Sequence, residues 1–326
     1  MKFPHRRQFL HLATGAAALP ALSRLASAQT YPTKPVRIVV GFAPGGATDI
    51  FARLIGQWLS EKLGQQFVID NRPGAGTNLG TEAAVNAPAD GYTLLLATTA
   101  GAINATLYQK LNFNFIRDLA PIAGIVRAPL VMEVNPSFPA KTVPDFIAYA
   151  KANPGKINMA SAGNGTSPHM FGELFKMMSG VQVVNVPYRG EAPALTDLLG
   201  GHVQLLFGSV TAAREYISAD KVRPLAVTTS MHSGALPDIP PLGEFVPGYE
   251  ASTWFGVSAP KGTPSEIIYG LNWEINAALA DPKMKSRLAD LSGMEIGGSP
   301  ADFGNLIADE TKKWAKVIKF AGIKPD

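Results

Sequence analysis

Val36-Arg37-Ile38-Val39-Val40-Gly41-Phe42-Ala43-Pro44-Gly45-Gly46-Ala47-Thr48-Asp49 joins a short β-branched run to a glycine loop. Phe51, Leu54, Ile55, Trp58, Leu59 and Leu63 follow at helical spacing and define one apolar face, and Gly64 ends it. The run reads as a buried strand and the whole as strand, glycine loop, helix. Phe67–Asp70 is a second strand, Arg72-Pro73-Gly74-Ala75-Gly76 a tight turn into a short helix near Thr77–Asn86, and Tyr92–Ala97 a third strand before Thr98-Thr99-Ala100-Gly101. A strand–loop–helix unit repeated in this way predicts a parallel sheet with right-handed crossovers.

The same grammar recurs further on. Strands are expected at Leu130–Val134, Lys156–Ala160, Val183–Val186, Val203–Phe207 and Val222–Thr228. Helices are expected over Val143–Asn153, along the Phe171, Leu174, Phe175, Met178 stripe, and over Ala192–Leu199. Trp254–Ala259 is another apolar strand, and helices follow over about Pro264–Ala280, Pro282–Ser292 and Pro300–Ala321. Thr263 and Glu266 have capping-box spacing, with Pro264 at the first helical position. Segments near Ile125–Val131 and Ala251–Val257 read as two crossings between lobes. The expected organisation is an export signal over residues 1–28, the first part of lobe one over 29–127, lobe two over 128–253, and a return to lobe one with C-terminal helices over 254–326.

The 326 residues contain no cysteine, which excludes thiol nucleophiles, redox pairs, iron–sulfur clusters and cysteine zinc sites. The net charge of +4 belongs to the N-terminus. Residues 1–28 hold Lys2, Arg6, Arg7 and Arg24 and no acid; subtracting those four from 29 leaves 25 basic against 25 acidic residues. Nothing in the remainder points to nucleic acid. Arg6-Arg7-Gln8-Phe9-Leu10, an Ala/Leu stretch to about Leu22, and Ala26-Ser27-Ala28 have the form of a cleaved export signal of twin-arginine type, with the mature chain beginning near Gln29 in the periplasm. His5 stands where Ser or Thr is usual in that motif, so general secretion stays open as the route.

Two loops carry the binding chemistry. Pro44-Gly45-Gly46-Ala47-Thr48-Asp49 and Ser161-Ala162-Gly163-Asn164-Gly165-Thr166-Ser167 each lie between a strand and a helix. A helix N-terminus offers unpaired N–H groups and about half a positive charge, glycine admits a ligand to the backbone, and hydroxyls add donors. One such loop is explained as well by turns and caps, whereas two in separate halves favour an anion site beyond the strand ends. The candidate ligand residues are Phe42, Pro44, Gly45, Gly46, Ala47, Thr48 and Asp49; Thr98, Thr99 and Ala100; Ser161, Gly163, Gly165, Thr166, Ser167 and His169; and Tyr188, Arg189, Gly208 and Ser209. Arg189 either points into the cleft or sits in a surface turn. Trp254 and Phe255 are expected to pack at a crossover.

Competing chemistries fail on spacing. Gly74 to Gly80 is one residue too long for a dinucleotide fingerprint, and no Walker loop or GxSxG elbow occurs. His169 and Glu173 lie i, i+4 without a third ligand, so no metal and no cofactor are expected. Asp49 and His169 are the obvious candidates for an enzyme's base, and Asp49 is better explained as a cap or loop brace.

These loops, with Tyr31-Pro32 to Pro35, Asn71-Arg72-Pro73-Gly74-Ala75-Gly76, Ala89-Asp90-Gly91-Tyr92-Thr93-Leu94 and Val186-Pro187-Tyr188-Arg189-Gly190 to Leu198-Leu199-Gly200-Gly201, occur in an order that resembles the periplasmic substrate-binding proteins of tripartite tricarboxylate transporters, the Bug-type receptors. The resemblance runs from about Tyr31 to the C-terminus. It implies a two-lobed α/β Venus-flytrap fold of the type 2 periplasmic-binding-protein arrangement, each lobe a mostly parallel sheet flanked by helices. It implies no catalysis, a di- or tricarboxylate, acidic amino acid or aromatic acid as ligand, and a two-subunit membrane permease as partner. A sensor kinase is the alternative partner, an exported enzyme on this fold the other reading, and a monomer the default. Relatives often carry an acid or amide after the strand Val203–Phe207, where Gly208-Ser209 stands here. With no acid to pair an ammonium, free amino acids are expected to be poor ligands, and Gly208 is expected to leave room for a bulkier group. Thr166 is expected to offer its hydroxyl to the ligand carboxylate.

Overall fold

The computed structural model describes residues 31–324; the expected export signal and cleavage site lie outside the described residues. Two sheets organise the chain. The first comprises β1 (Val36–Val40), β2 (Phe67–Asn71), β3 (Thr93–Thr98), β4 (Leu119–Ala128), β10 (Thr253–Pro260) and β11 (Met294–Gly297), in the order β11-β4-β10-β3-β1-β2. The second comprises β5 (Leu130–Val134), β6 (Asn158–Ser161), β7 (Val184–Pro187), β8 (Leu205–Ser209) and β9 (Arg223–Val227), in the order β7-β6-β8-β5-β9. The strand–loop–helix units are parallel: β1 pairs with β2 and β3, and β6 with β7 and β8. β4, β5 and β10, which carry the chain between the sheets, add antiparallel pairs, so each sheet is mixed rather than mostly parallel.

The helices of the first lobe are α1 (Ala47–Leu63), α2 (Asn78–Val85), α3 (Thr99–Leu107), α8 (Ser265–Ala280) and α9 (Pro282–Asp290). Those of the second are α4 (Val143–Ala152), α5 (Ser167–Ser179), α6 (Glu191–Leu199) and α7 (Val210–Ser218). Gly64 ends α1 in the left-handed conformation at φ 70°, as its position after the apolar stripe requires. The expected capping box at α8 does not form. Pro264 is the N-cap in an extended conformation, and Thr263 donates its hydroxyl to the Pro260 carbonyl (2.8 Å) instead.

The first crossing breaks at Pro129, between β4 and β5, because proline cannot donate to the ladder. The second lies beside it. Thr228 and Leu130 exchange main-chain and hydroxyl hydrogen bonds at 2.9 Å, Ala251 N–H donates to Thr228, and Thr253 donates its hydroxyl to Ala128 (3.0 Å). The lobes therefore share a two-stranded hinge.

α10 (Pro300–Ala321) packs against both lobes. Its start buries Phe303 and Ile307 with Trp254, whereas its end buries Trp314, Val317 and Ile318 in the second lobe's core, with Trp314 stacked on Phe171 at 5.4 Å. Ile103 and Leu107 of α3 enter that same core. The lobes also meet near α3: a Cβ on Gly76, in the turn before α2, would lie 2.8 Å from the Asn164 carbonyl oxygen of the second lobe.

Candidate functional site

Parallel strand–loop–helix units put the start of every following helix at the same end of the sheet, and closing the lobes turns those ends toward each other. A cavity of about 110 Å³ lies between them. The N-cap residues of five helices line it: Gly46 and Thr98 from the first lobe, and Thr166, Gly190 and Ser209 from the second. Four of these N-caps accept no hydrogen bond through their side chains from the first turn; only Ser209 does, from Ala212 N–H at 3.2 Å. Four helix N-termini without side-chain caps thus border one space.

The first loop is braced from behind. Asp49, 3% exposed, accepts from Gly45 N–H (3.1 Å), from Asn71 (3.0 Å) and from both arms of Arg53 (2.9 and 3.0 Å). Burial pushes its carboxyl up, but those hydrogen bonds and the Arg53 charge win, and the group lies below its ordinary range. Asn71 also donates to the Phe42 carbonyl (3.0 Å). Gly45 sits at φ 92°, a conformation that favours glycine. Gly46 meets nothing within 4 Å of a built Cβ, so its face is open.

The Ser161–Ser167 loop is braced in the same way. Thr166, 1% exposed, donates its hydroxyl to the Gly163 carbonyl (2.6 Å), and Gly165 N–H donates to His169 Nδ1 (3.2 Å). The Thr166 proton is thus engaged inside the loop while the residue borders the cavity. His169 Nε2 lies 3.6 Å from Glu173, which is held below its ordinary range because hydrogen bonds from His169 and Lys176 outweigh its burial. No group of three potential metal ligands occurs among the described residues.

Of the sequence candidates, Phe42, Pro44, Gly46, Ala47, Thr48, Thr98, Thr99, Ala100, Thr166, Ser167, Arg189 and Ser209 border the cavity. Gly45, Asp49, Ser161, Gly163, Gly165, His169, Tyr188 and Gly208 do not. Tyr188 turns away and donates to Asp197 (2.5 Å), which with burial lifts its hydroxyl to about 12. Thr99 borders the cavity, but its hydroxyl accepts from Trp254 N–H (2.8 Å) and ties α3 to the hinge strand. Arg189 is exposed at the cavity wall. Trp254 and Phe255 are buried at the crossover and form part of the floor.

The room expected over Gly208 is taken. A Cβ there would collide with a carboxyl oxygen of Glu133, which reaches over from β5 and is fully buried. The acid expected to be missing beside Ser209 is also present. Glu191, at the start of α6, accepts from Ser209 N–H with one oxygen and from the Ser209 hydroxyl (2.9 Å) with the other. Sequence reasoning missed both because neither is near Gly208 in the chain. The available signal for Glu191 was an acid at the first helical position directly after Arg189-Gly190.

The family model described as "Tripartite tricarboxylate transporter family receptor" matches residues 51–323. Protein BugT of Bordetella pertussis is 36% identical over 318 residues, covering 97% of this chain and 96% of that one. The structure of R. palustris Rpa4515 with adipate superposes with a TM-score of 0.88 at 40% identity, covering 91% of this chain and all of that one. MatC (Rpa3494) from Rhodopseudomonas palustris with bound malate gives 0.83 at 30% identity, covering 88% and 100%. With that match over most of its length, the chain belongs to the receptor family of the tripartite tricarboxylate transporters.

Proposed function

We propose that this chain is a periplasmic receptor that captures a small organic carboxylate between its lobes for uptake by a membrane permease of the tripartite tricarboxylate type. The observation that carries the reading is the convergence of four helix N-termini without side-chain caps, from both lobes, on one cavity. An anion there meets donors from both sides only when the lobes are closed, so binding shifts the population toward the closed form, the form a permease would recognise. The match to the Rpa4515 adipate complex and the MatC malate complex supports a carboxylate.

The same geometry favours a receptor over an enzyme. Asp49 and His169, the candidate bases, are both behind the loops and engaged as braces, with Asp49 holding Gly45, Asn71 and Arg53 and His169 holding Gly165. Neither reaches the cavity.

The experiment is a thermal-shift screen of the mature protein against organic acids, followed by calorimetry. A cognate acid raises the melting temperature and binds with about −8 kcal/mol, a micromolar constant. Gly46→Val, whose side chain would enter open space, keeps the wild-type melting temperature without ligand and loses the shift. A panel that gives no shift with wild type, or a Gly46→Val protein that binds normally, overturns the proposal.

A further inference from the structure

Two carboxyl groups stand together at the second lobe's side of the cavity. Glu191 borders the cavity and is anchored through both oxygens to Ser209. The Ser209 hydroxyl in turn accepts from Ala212 N–H, so the carboxylate is held at the start of α7 by a directed chain of hydrogen bonds. Behind it, Glu133 is fully buried, with neither oxygen hydrogen-bonded. Burial first, and the nearby Glu191 charge second, push the Glu133 carboxyl well above its ordinary range. Burial pushes the Glu191 carboxyl up as well, against the pull of its Ser209 hydrogen bonds, but both of its oxygens accept from Ser209 at the start of α7, the arrangement of a carboxylate, and Glu191 is the member that meets the ligand space.

The chain has in effect placed its own anion on the N-terminus of α7. A carboxylate has about four lone-pair sites, and Ser209 takes two, leaving acceptor capacity directed at whatever fills the cavity. A second ligand carboxylate brought here would meet a fixed like charge, with another acid beneath it that can give up no surface to water. A hydroxyl or ammonium would instead find a waiting acceptor. Arg189, two residues earlier and exposed, is the cation that lines the same wall; no hydrogen bond or ion pair engages it in the structure, and it does not neutralise Glu191.

We infer that Glu191 is a specificity-determining residue that selects carboxylates whose other end is a hydrogen-bond donor, a hydroxyl or an ammonium, over dicarboxylates of the same length. The inference rests on the receptor reading and names the ligand class of that site. It reverses the expectation that amino acids are excluded, since the acid required to meet an ammonium is supplied by α6 rather than by the end of β8.

The test is calorimetry at neutral pH with matched sets: succinate and adipate, and their analogues in which one carboxylate is replaced by a hydroxymethyl or an aminomethyl group. Wild type should bind the hydroxy or the amino analogue at least tenfold more tightly than the dicarboxylate, and the two arms show which donor is read. Glu191→Gln should narrow that ratio at least tenfold, chiefly by improving dicarboxylate binding. Glu191→Asp retains the charge and should retain the preference, which a merely structural role would not separate from Glu191→Gln. Dicarboxylates bound as tightly as the analogues by wild type, as they would be if Arg189 governs the far end, or a ratio unchanged in Glu191→Gln, overturns the inference and leaves the receptor reading standing. If simple monocarboxylates and both sets all fail to bind wild type, the receptor reading falls and takes this inference with it.

Discussion

Asp49→Asn tests whether the first binding loop is held by a charged brace. Each carboxylate oxygen accepts two hydrogen bonds, one set from Gly45 N–H and Arg53 Nε, the other from Asn71 and the second Arg53 arm. The amide keeps one acceptor and turns the other into a donor facing donors. The Arg53 contribution is small, because its side chain is 56% exposed and water screens it; such i,i+4 pairs are worth about 0.5 kcal/mol. The hydrogen bonds from Gly45 and Asn71 to a charged group are worth about 1.5 kcal/mol each. Losing one of these and part of the ion pair predicts a destabilisation of about 2 kcal/mol at neutral pH for Asp49→Asn, and about 3 kcal/mol for Asp49→Ala. The folded group titrates below its ordinary value of 3.8, so the wild-type advantage is fully present above 3.8 and is lost as the pH falls through the lower folded value. Urea denaturation of both proteins from neutral to strongly acid pH should show the difference shrinking at the acid end, with ligand affinity weaker in the variant at neutral pH because Gly45 has lost its anchor. A difference that stays constant into acid, or one below about 0.5 kcal/mol at neutral pH, refutes the charged-brace argument.

Gly165→Ala should weaken binding at least tenfold: Gly165 is at φ 74°, and a Cβ would sit 2.5 Å from Asn104 Oδ1 and 2.7 Å from Leu107 on the first lobe, holding the lobes apart. Small-angle scattering should show the variant failing to compact when ligand is added. Glu133→Gln should flatten the pH dependence of stability. The raised carboxyl of Glu133 costs nothing below its ordinary 4.5 and progressively more as pH rises above it, so the variant should be more stable than wild type at pH 7 in a denaturation series, with the gain vanishing in acid. Thr166→Ala should reduce affinity by loosening the loop, since the hydroxyl braces Gly163, and Thr166→Ser, which keeps that donor, should restore it in the same calorimetric assay.

The fold was legible where local chemistry determines it. Six apolar residues at helical spacing and a terminal glycine placed α1 from Ala47 to Leu63, and the strand–glycine loop–helix units predicted the parallel pairs correctly. β11 was not legible: Met294–Gly297 is four residues on a sheet edge, half-exposed, and held in place by pairing with β4 across more than 160 residues of sequence rather than by its own pattern. The capping box at α8 failed because three residues of spacing describe an opportunity, and Thr263 found a nearer acceptor in Pro260. The double allegiance of α10 was hidden for a related reason. One continuous apolar stripe serves two cores, and periodicity records that a face is buried without recording against what.

The site divides along the same line. The main-chain part was readable, because a glycine loop ahead of a helix is a local object, and a chain that repeats it in two facing lobes directs those objects at each other. The side-chain part was not. The sequence reasoning looked for an acid at position 208 and, finding glycine, inferred empty space and no partner for an ammonium. In the folded chain the volume over Gly208 holds the carboxyl of Glu133, two residues further along the paired strand register, and the carboxylate beside Ser209 comes from Glu191 on the neighbouring helix. A glycine in a packed wall seldom leaves a void, because close packing draws in whichever neighbour can reach it. Here the neighbour that reached in was a carboxyl group rather than a methyl group, and the inferred ligand preference follows the groups that fill the wall, whichever position in the chain supplies them.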